Sequence, residues 1–229
     1  MAITVTHKDP ADETSAAMFG KHELLEYVAE LNFSELVFES LAGRVPTSAE
    51  AHIFNLILNL CFDHGPKSPS ALATIAATKE GKSMGEAVGA GIAQIGDSHG
   101  GAGEPLMRIL YELHTEKANV KEVVAHYKKE GKRMPGFGHR VYKDIDPRAE
   151  LILNTAAEHE IGKDFIDALT VLHLELHEQL GKKLPINIDG AIAAALCGLR
   201  IEPEVGKAVF IIARSAGLSA HFLNSSVAE

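Results

Sequence analysis

The densest run of charge in this 229-residue chain is a cationic segment inside an acidic protein. From Lys128 to Arg148 it reads KKEGKRMPGFGHRVYKDIDPR, seven Lys/Arg against three Asp/Glu, a net of +4. The rest of the chain carries 15 against 28, a net of −13. The segment holds a Pro-Gly-Phe-Gly turn, Pro135 to Gly138, followed directly by His139. Exposed backbone N–H groups flanked by cations suit phosphates or carboxylates. A solvated charge run is the competing reading, and charge alone does not separate the two. Other proton-moving groups stand beside glycines: His64 in Asp63-His64-Gly65, His99 in His99-Gly100-Gly101-Ala102, and Asp189 in Asn187-Ile188-Asp189-Gly190. Singly, each has an ordinary reading: a histidine in a turn, or an N-cap in the case of Asp189, which precedes the apolar run Ala191 to Leu199. Together with His139 they are candidates for acid–base chemistry.

Several alternatives fall away. His173 and His177 are spaced i, i+4 and could share a metal, but no third ligand is evident, so a solvated helix face is expected and no metal site. Gly81-Lys82-Ser83 resembles the end of a phosphate-binding loop. The first glycine would have to be position 76, which is Ala76, and no strand precedes it. Gly89, Gly91 and Gly96 miss the dinucleotide-binding spacing. Two cysteines, Cys61 and Cys197, rule out a disulfide framework and read as buried thiols. The acidic balance argues against general nucleic-acid binding. No apolar run approaches the roughly 18 residues a membrane span needs, and Met1 to Glu13 shows no leader pattern, so the cytoplasm is the expected setting.

Helices must position these groups. Leu106, Ile109, Leu110 and Leu113 recur at helical spacing, as do Val120, Val123, Val124 and Tyr127, and Val205, Ala208, Val209 and Ile212. Phe165, Leu169, Leu172 and Leu176 extend the same pattern. Thr47 and Glu50 have capping-box spacing, and Pro203 sits where a first-turn proline belongs. Alternating strand patterns are nearly absent. The expectation is an all-α chain of roughly ten helices, with Gly/Pro loops near 43–46, 63–69, 96–104, 131–147 and 181–189. Hydrophobic residues at 46% and charged residues at 23% are globular proportions.

Gly136 to Arg148, GFGHRVYKDIDPR, closely resembles the signature of the citrate synthase family. Asp63-His64-Gly65, His99-Gly100-Gly101-Ala102, Asn187-Ile188-Asp189-Gly190, and Ala213 to Gly217 with Ala220-His221 match further family segments in the same order. The resemblance spans about Phe33 to Phe222. Asp63-His64-Gly65-Pro66 is similar to the citryl-CoA lyase module of ATP-citrate lyase, whereas His99 is more like citrate synthase. The resemblance implies interconversion of acetyl-CoA plus oxaloacetate with citryl-CoA. In it Asp189 is the base, His99 the donor to the thioester oxygen, and His139 the group facing the ketone or hydroxyl. Arg148, Arg214 and His64 are implied to bind the carboxylates. Met134, Pro135, Gly136, Phe137, Gly138 and Asn187 are implied to line the coenzyme A site. Lys128, Lys129, Lys132 and Arg133 are expected near its phosphates on charge alone. His221 is expected in packing or at an interface, and the remaining histidines in ordinary surface or packing roles.

The implied fold is all-α and citrate synthase-like. A large helical domain, 1–102 plus 200–229, and a smaller one, 103–199, would flank the active site. Coenzyme A enters as a substrate, and no permanently bound cofactor is expected. A homodimer or larger homo-oligomer, and a CoA-ligase partner subunit, are the partners implied. The readings in order are a citryl-CoA lyase, a minimal citrate synthase or related acyl-CoA condensing enzyme, and a non-catalytic assembly or sensing module. Citrate synthases complete their carboxylate cage with a later arginine from the partner subunit. No counterpart follows Arg214 before Glu229, and Arg140 is one candidate replacement. A charge-assisted contact of that kind is worth about 1.5–3 kcal/mol.

Overall fold

The computed structural model describes residues 2–96, 100–101 and 103–226. Two strands open the chain, β1 (Val5–His7) and β2 (Ala17–Phe19), followed by β3 (His22–Glu23). Eleven helices follow among the described residues. They are α1 (Leu24–Val28), α2 (Phe33–Ala42), α3 (Ser48–Cys61), α4 (Pro69–Lys79), α5 (Met84–Ile92) and α6 (Gly103–His114). Next come α7 (Val120–Lys129), α8 (Pro147–Glu158), α9 (Lys163–Leu180), α10 (Ile188–Gly198) and α11 (Pro203–Ser226). The gaps after α2, α3, α7 and α9 are 43–47, 62–68, 130–146 and 181–187, where glycine and proline concentrate. The class is all-α, as expected. No helix among the described residues is long and apolar enough to cross a membrane.

The contacts group residues 1–55 and 56–229 into two units. The first carries the antiparallel sheet β1-β2-β3, in which Val5 pairs with Phe19 and Met18 with Glu23. The strands are two or three residues long, and β1 and β3 are exposed, so they leave no alternating pattern to read. Phe38 and Phe54 meet edge to face at 5.3 Å and are fully buried. The expected capping box is present. Thr47 N donates to Glu50 Oε2 at 2.8 Å, and Glu50 N donates to Thr47 Oγ1 at 3.3 Å.

In the second unit α10 is the central element. Gly190 to Cys197 are all buried, and the helix packs on α6, α8 and α9. A helix apolar all round belongs inside a fold. The α9 stripe Phe165, Leu169, Leu172 and Leu176 is buried as its spacing predicts. Helix α11 starts at Pro203, also as expected, but its buried face differs from the apolar stripe. Beside Val209 it buries Gly206, Ala213, Arg214, Gly217 and Leu218, while Val205, Ala208 and Ile212 are only half-buried. Its neighbours approach too closely for a large side chain: a Cβ on Gly206 would lie 2.8 Å from Met107 Sδ. Both cysteines are buried and free, as expected.

Phe165 is fully buried. Tyr111 meets it edge-on at 5.1 Å, and the Arg200 guanidinium lies 5.3 Å above its ring. Truncating such a residue leaves a cavity lined by groups that cannot collapse into it. Phe165→Ala is expected to cost about 3–5 kcal/mol in urea denaturation of the whole chain. A loss below about 1 kcal/mol would show that this face of α9 is not part of the core.

Candidate active site

The Pro135–Gly138 turn lies directly against the first turn of α10. Gly136 and Gly138 have φ of +82° and +80°, values that side chains with a Cβ rarely adopt. A Cβ on Gly190 would stand 2.5 Å from the Gly136 carbonyl oxygen. Asn187 stitches the two segments together. Its N–H donates to Gly136 O at 3.0 Å and its Nδ2 to Gly138 O at 2.9 Å. Its Oδ1 accepts from Gly190 N at 3.1 Å, which makes Asn187 the N-cap of α10. Asp189 therefore has no capping duty, and the cap reading of that residue is replaced.

A cavity of about 180 Å³ opens beside Asp189. His64, His139, Arg148, Asn187 and Arg214 share its wall with Leu60, Cys61, Gly100, Ile188 and Phe210. His99 lies outside the described residues; its neighbour Gly100 lines the wall. The His64 and His139 rings are 6.5 Å apart and nearly perpendicular.

The hydrogen bonds assign the imidazole protons. Val141 N and Tyr142 N both donate to His139 Nδ1, at 3.1 and 3.0 Å. The single proton of the neutral ring is then on Nε2. Arg148 Nη1 donates to His64 Nδ1 at 3.0 Å, so neutral His64 also carries its proton on Nε2. Arg148 Nη2 lies 3.2 Å from His139 Nε2. Two donors face each other there, and an acceptor oxygen brought between them would satisfy both. Burial holds both imidazoles below their ordinary pKa, and Arg148 adds to the effect in each. Asp189 is the converse. Protein surrounds its carboxyl except at the cavity, and burial raises its pKa against the pull of Arg148 and Arg214. A carboxylate raised in this way is a stronger base. The group as a whole can take a proton from a carbon beside a carbonyl, donate to oxygens that gain charge, and hold carboxylates.

Residues 11–228 match the family described as citrate synthase, C-terminal domain. The chain belongs to the citrate synthase family. It is 30% identical over 208–213-residue alignments to curated members. One is the citrate/2-methylcitrate synthase of Bacillus subtilis, matched across 91% of this chain and 56% of that protein. Of seven curated relatives, the chain spans between 28% and 56% of their length. Citryl-CoA lyase from Hydrogenobacter thermophilus superposes with a TM-score of 0.89 at 33% identity, over 98% of this chain and 86% of that one. Citrate synthase from Pyrobaculum aerophilum superposes with a TM-score of 0.66 at 27% identity, over 85% of this chain and 50% of that one.

In this member of the citrate synthase family a second cavity, about 760 Å³, meets the first at His139, which lines both. Met134, Phe137 and Gly138 lie on its wall among the residues expected to face coenzyme A. Pro135 and Gly136 stand behind it, with Gly136 pressed against Leu106 and Gly190. Asn187 belongs to the smaller cavity. Lys128, Lys132 and Arg133 line the larger one and Lys129 does not, while Arg140, Lys143 and Lys182 add three cations. Six cations beside apolar walls suit a long ligand with phosphates at one end.

Two findings lie beyond the sequence reading. Asp146 is 1% exposed, and its carboxylate takes the Arg148 Nε and Nη2 at 3.0 and 2.8 Å. It also accepts from Ile188 N at 3.1 Å, joining the starts of α8 and α10. Burial would raise its pKa, but the hydrogen bonds and charge of Arg148 bring it below the usual carboxylate range. Asp146 is the N-cap of α8, its Oδ1 accepting from Arg148 N at 3.1 Å, and an Asp directly before a first-turn proline is the signal that could have found it. The fork to the same arginine and the bond to Ile188 require coordinates. His173 and His177 are not a solvated face. Both Nε2 atoms lie within 3.0 Å of Leu184 O, and Phe137 stacks on His173 at 5.6 Å. They clip the 181–187 loop behind the larger cavity. Among the described residues no metal-binding cluster occurs.

Because His64 and His139 have depressed folded pKa values, their contribution to stability is complete above pH 6.5, the ordinary histidine value. It is lost as pH falls below that value, where the unfolded imidazoles take up protons first. Urea unfolding between pH 7.5 and 5 is expected to show this loss. The double variant His64→Gln, His139→Gln should have a flatter profile, and parallel profiles would contradict the assignment.

Proposed function

We propose that the protein cleaves citryl-CoA to acetyl-CoA and oxaloacetate. The observation that carries the reading is the meeting, at His139, of a small cavity holding a base and two guanidiniums with a larger cavity lined by six cations. The likeness to the Hydrogenobacter citryl-CoA lyase supports it, at a higher TM-score than the Pyrobaculum citrate synthase.

In this reading the carboxylates of the citryl group lie on Arg148, Arg214 and His64, all three of which line the cavity. His139 Nε2–H and Arg148 donate to the oxygen that becomes the ketone. The hydroxyl proton passes to the Asp189 carboxylate, the carbon–carbon bond breaks, and its electron pair passes into the thioester as an enolate held by hydrogen bonds. Asp189 then delivers that proton to the methylene carbon and ends as the carboxylate it began as, so no net proton is taken up. The thioester oxygen needs a donor at the same moment, and His99 is assigned to it by resemblance. Condensation follows the same path backwards. Met134, Phe137 and Gly138 hold the coenzyme A arm, with its phosphates among Lys128, Lys132, Arg133 and the other cations of that cavity. No permanent cofactor takes part. Residues 103–199 serve as the closing domain against 1–102 and 200–229, and closure excludes water from the enolate. A homodimer in the cytoplasm, working with a CoA-ligase subunit, completes this reading. The buried free thiols of Cys61 and Cys197 fit a reducing compartment.

A second reading, a citrate synthase that also hydrolyses the thioester, is favoured by the names of the curated relatives. It predicts free thiol from acetyl-CoA plus oxaloacetate.

Pure protein given citryl-CoA should release oxaloacetate, read through a coupled dehydrogenase. No release above buffer would overturn the first reading. Asp189→Asn is expected to lower turnover at least about 100-fold while coenzyme A still binds. The same substitution removes a carboxylate that burial disfavours, so its thermal midpoint at pH 7 should rise. Unchanged turnover would remove Asp189 from its role.

A further inference from the structure

One face of α11 grips the turn that carries His64. Arg214, Gly217 and His221 follow one another at i, i+3 and i+7 and so share that face. Each engages a successive residue, from the end of α3 into the segment before α4. Arg214 Nε donates to Cys61 O at 3.0 Å. Gly217 lies so close to Phe62 that a Cβ would stand 2.2 Å from the Phe62 carbonyl oxygen. His221 Nε2 donates to Asp63 Oδ1 at 2.9 Å, with the His221 side chain only 13% exposed.

The other oxygen of Asp63 turns back on its own chain. Asp63 Oδ2 accepts from Gly65 N at 3.1 Å, closing a local turn around His64. Gly65 takes a left-handed φ of +76° at that point. The His64 ring then receives Arg148 Nη1 on its Nδ1 at 3.0 Å and keeps its Nε2 proton. Nothing in this chain of contacts makes His221 part of the cavity wall.

We propose that His221, acting through Asp63, is a positioning residue for His64: the Asp63–His221 pair sets the orientation of the imidazole at the carboxylate end of the cavity. The role of His64 itself rests on the function proposed above. The geometry explains why a histidine stands two turns beyond Arg214 on this face of α11. The neighbouring bonds of the turn span only two residues, and they fix its shape but not its placement against α11. Arg214 places Cys61, and the close approach at Gly217 places Phe62. The carboxylate of Asp63 is the last contact before His64, and the donor it receives from α11 is the His221 ring.

The test uses the full chain with two independent readouts. Nitrogen-15 spectra of the His64 ring should report the Nε2–H tautomer in the wild type. In His221→Ala they should move toward a mixture of tautomers. In His221→Gln, whose amide nitrogen occupies the place of Nε2, they should return to the wild-type pattern. With citryl-CoA as substrate, His221→Ala should raise KM about tenfold with a smaller change in kcat, and His221→Gln should stay within about threefold of wild type. Asp63→Asn keeps the size of the side chain but leaves one acceptor oxygen for two donors. It should shift the His64 spectrum in the same direction, and it carries the test if His221→Ala does not fold. An unchanged His64 spectrum in the folded variants would overturn the positioning role. If the wild type shows no turnover, the function proposed above fails, while the spectra still decide the role of His221.

Discussion

A single buried carboxylate holds the side chains of the smaller cavity in register. Asp146 is removed from water, which for an unpaired charge would cost several kcal/mol. Arg148 and two backbone N–H groups offset that cost. The same four hydrogen bonds start α8, anchor the first turn of α10 and fix a planar guanidinium. The remaining nitrogen of that guanidinium, Nη1, reaches His64, and Nη2 faces His139 as well as Asp146. Removing one partner from a buried pair of this kind costs about 3–5 kcal/mol. Lysine could not replace Arg148, since it has no planar fork to span a carboxylate and two rings at once.

Cationic crowding explains two properties of the site together. Arg214 is 2% exposed; among the described residues it donates to the Cys61 carbonyl and the Ser70 hydroxyl and lies over the Phe210 ring, with no direct ion pair. The cavity wall thus attracts carboxylates. Burial, with the same positive charge added, lowers the pKa of His64 and His139 and so favours neutral rings that each offer one N–H to an oxygen. Asp189 feels the opposite pressures. Burial pushes it toward its protonated form while two guanidiniums resist, and this balance suits a group that must both take and return a proton. Stability and chemistry are opposed at that residue.

Much of the frame was legible because its causes are local. The stripe on α9 and the Thr47–Glu50 cap depend on spacing alone, and coordinates reproduce both. The face of α11 was not legible. It buries Gly206, Gly217 and Arg214, chosen by how closely Met107 and Phe62 approach and not by hydrophobicity. The short strands β1 to β3 escaped because two or three residues cannot show a period. The pairing of His173 and His177 was read as a spacing, but its meaning came from Leu184, seven residues beyond His177.

What the chain alone determined was the inventory and the local forms. These are helices from apolar periodicity, a Pro-Gly-Phe-Gly turn in a cationic segment, and a set of imidazoles, guanidiniums and a carboxylate whose types suit acid–base chemistry. Periodicity and caps act over a few residues, so sequence records them directly. Only the tertiary structure decided which of those groups meet. It assigned the cap of α10 to Asn187 and so released Asp189, placed the protons of His64 and His139, and joined α11 to the turn at Asp63. Each of those outcomes depends on contacts between residues far apart in the chain, whose distances no local pattern encodes.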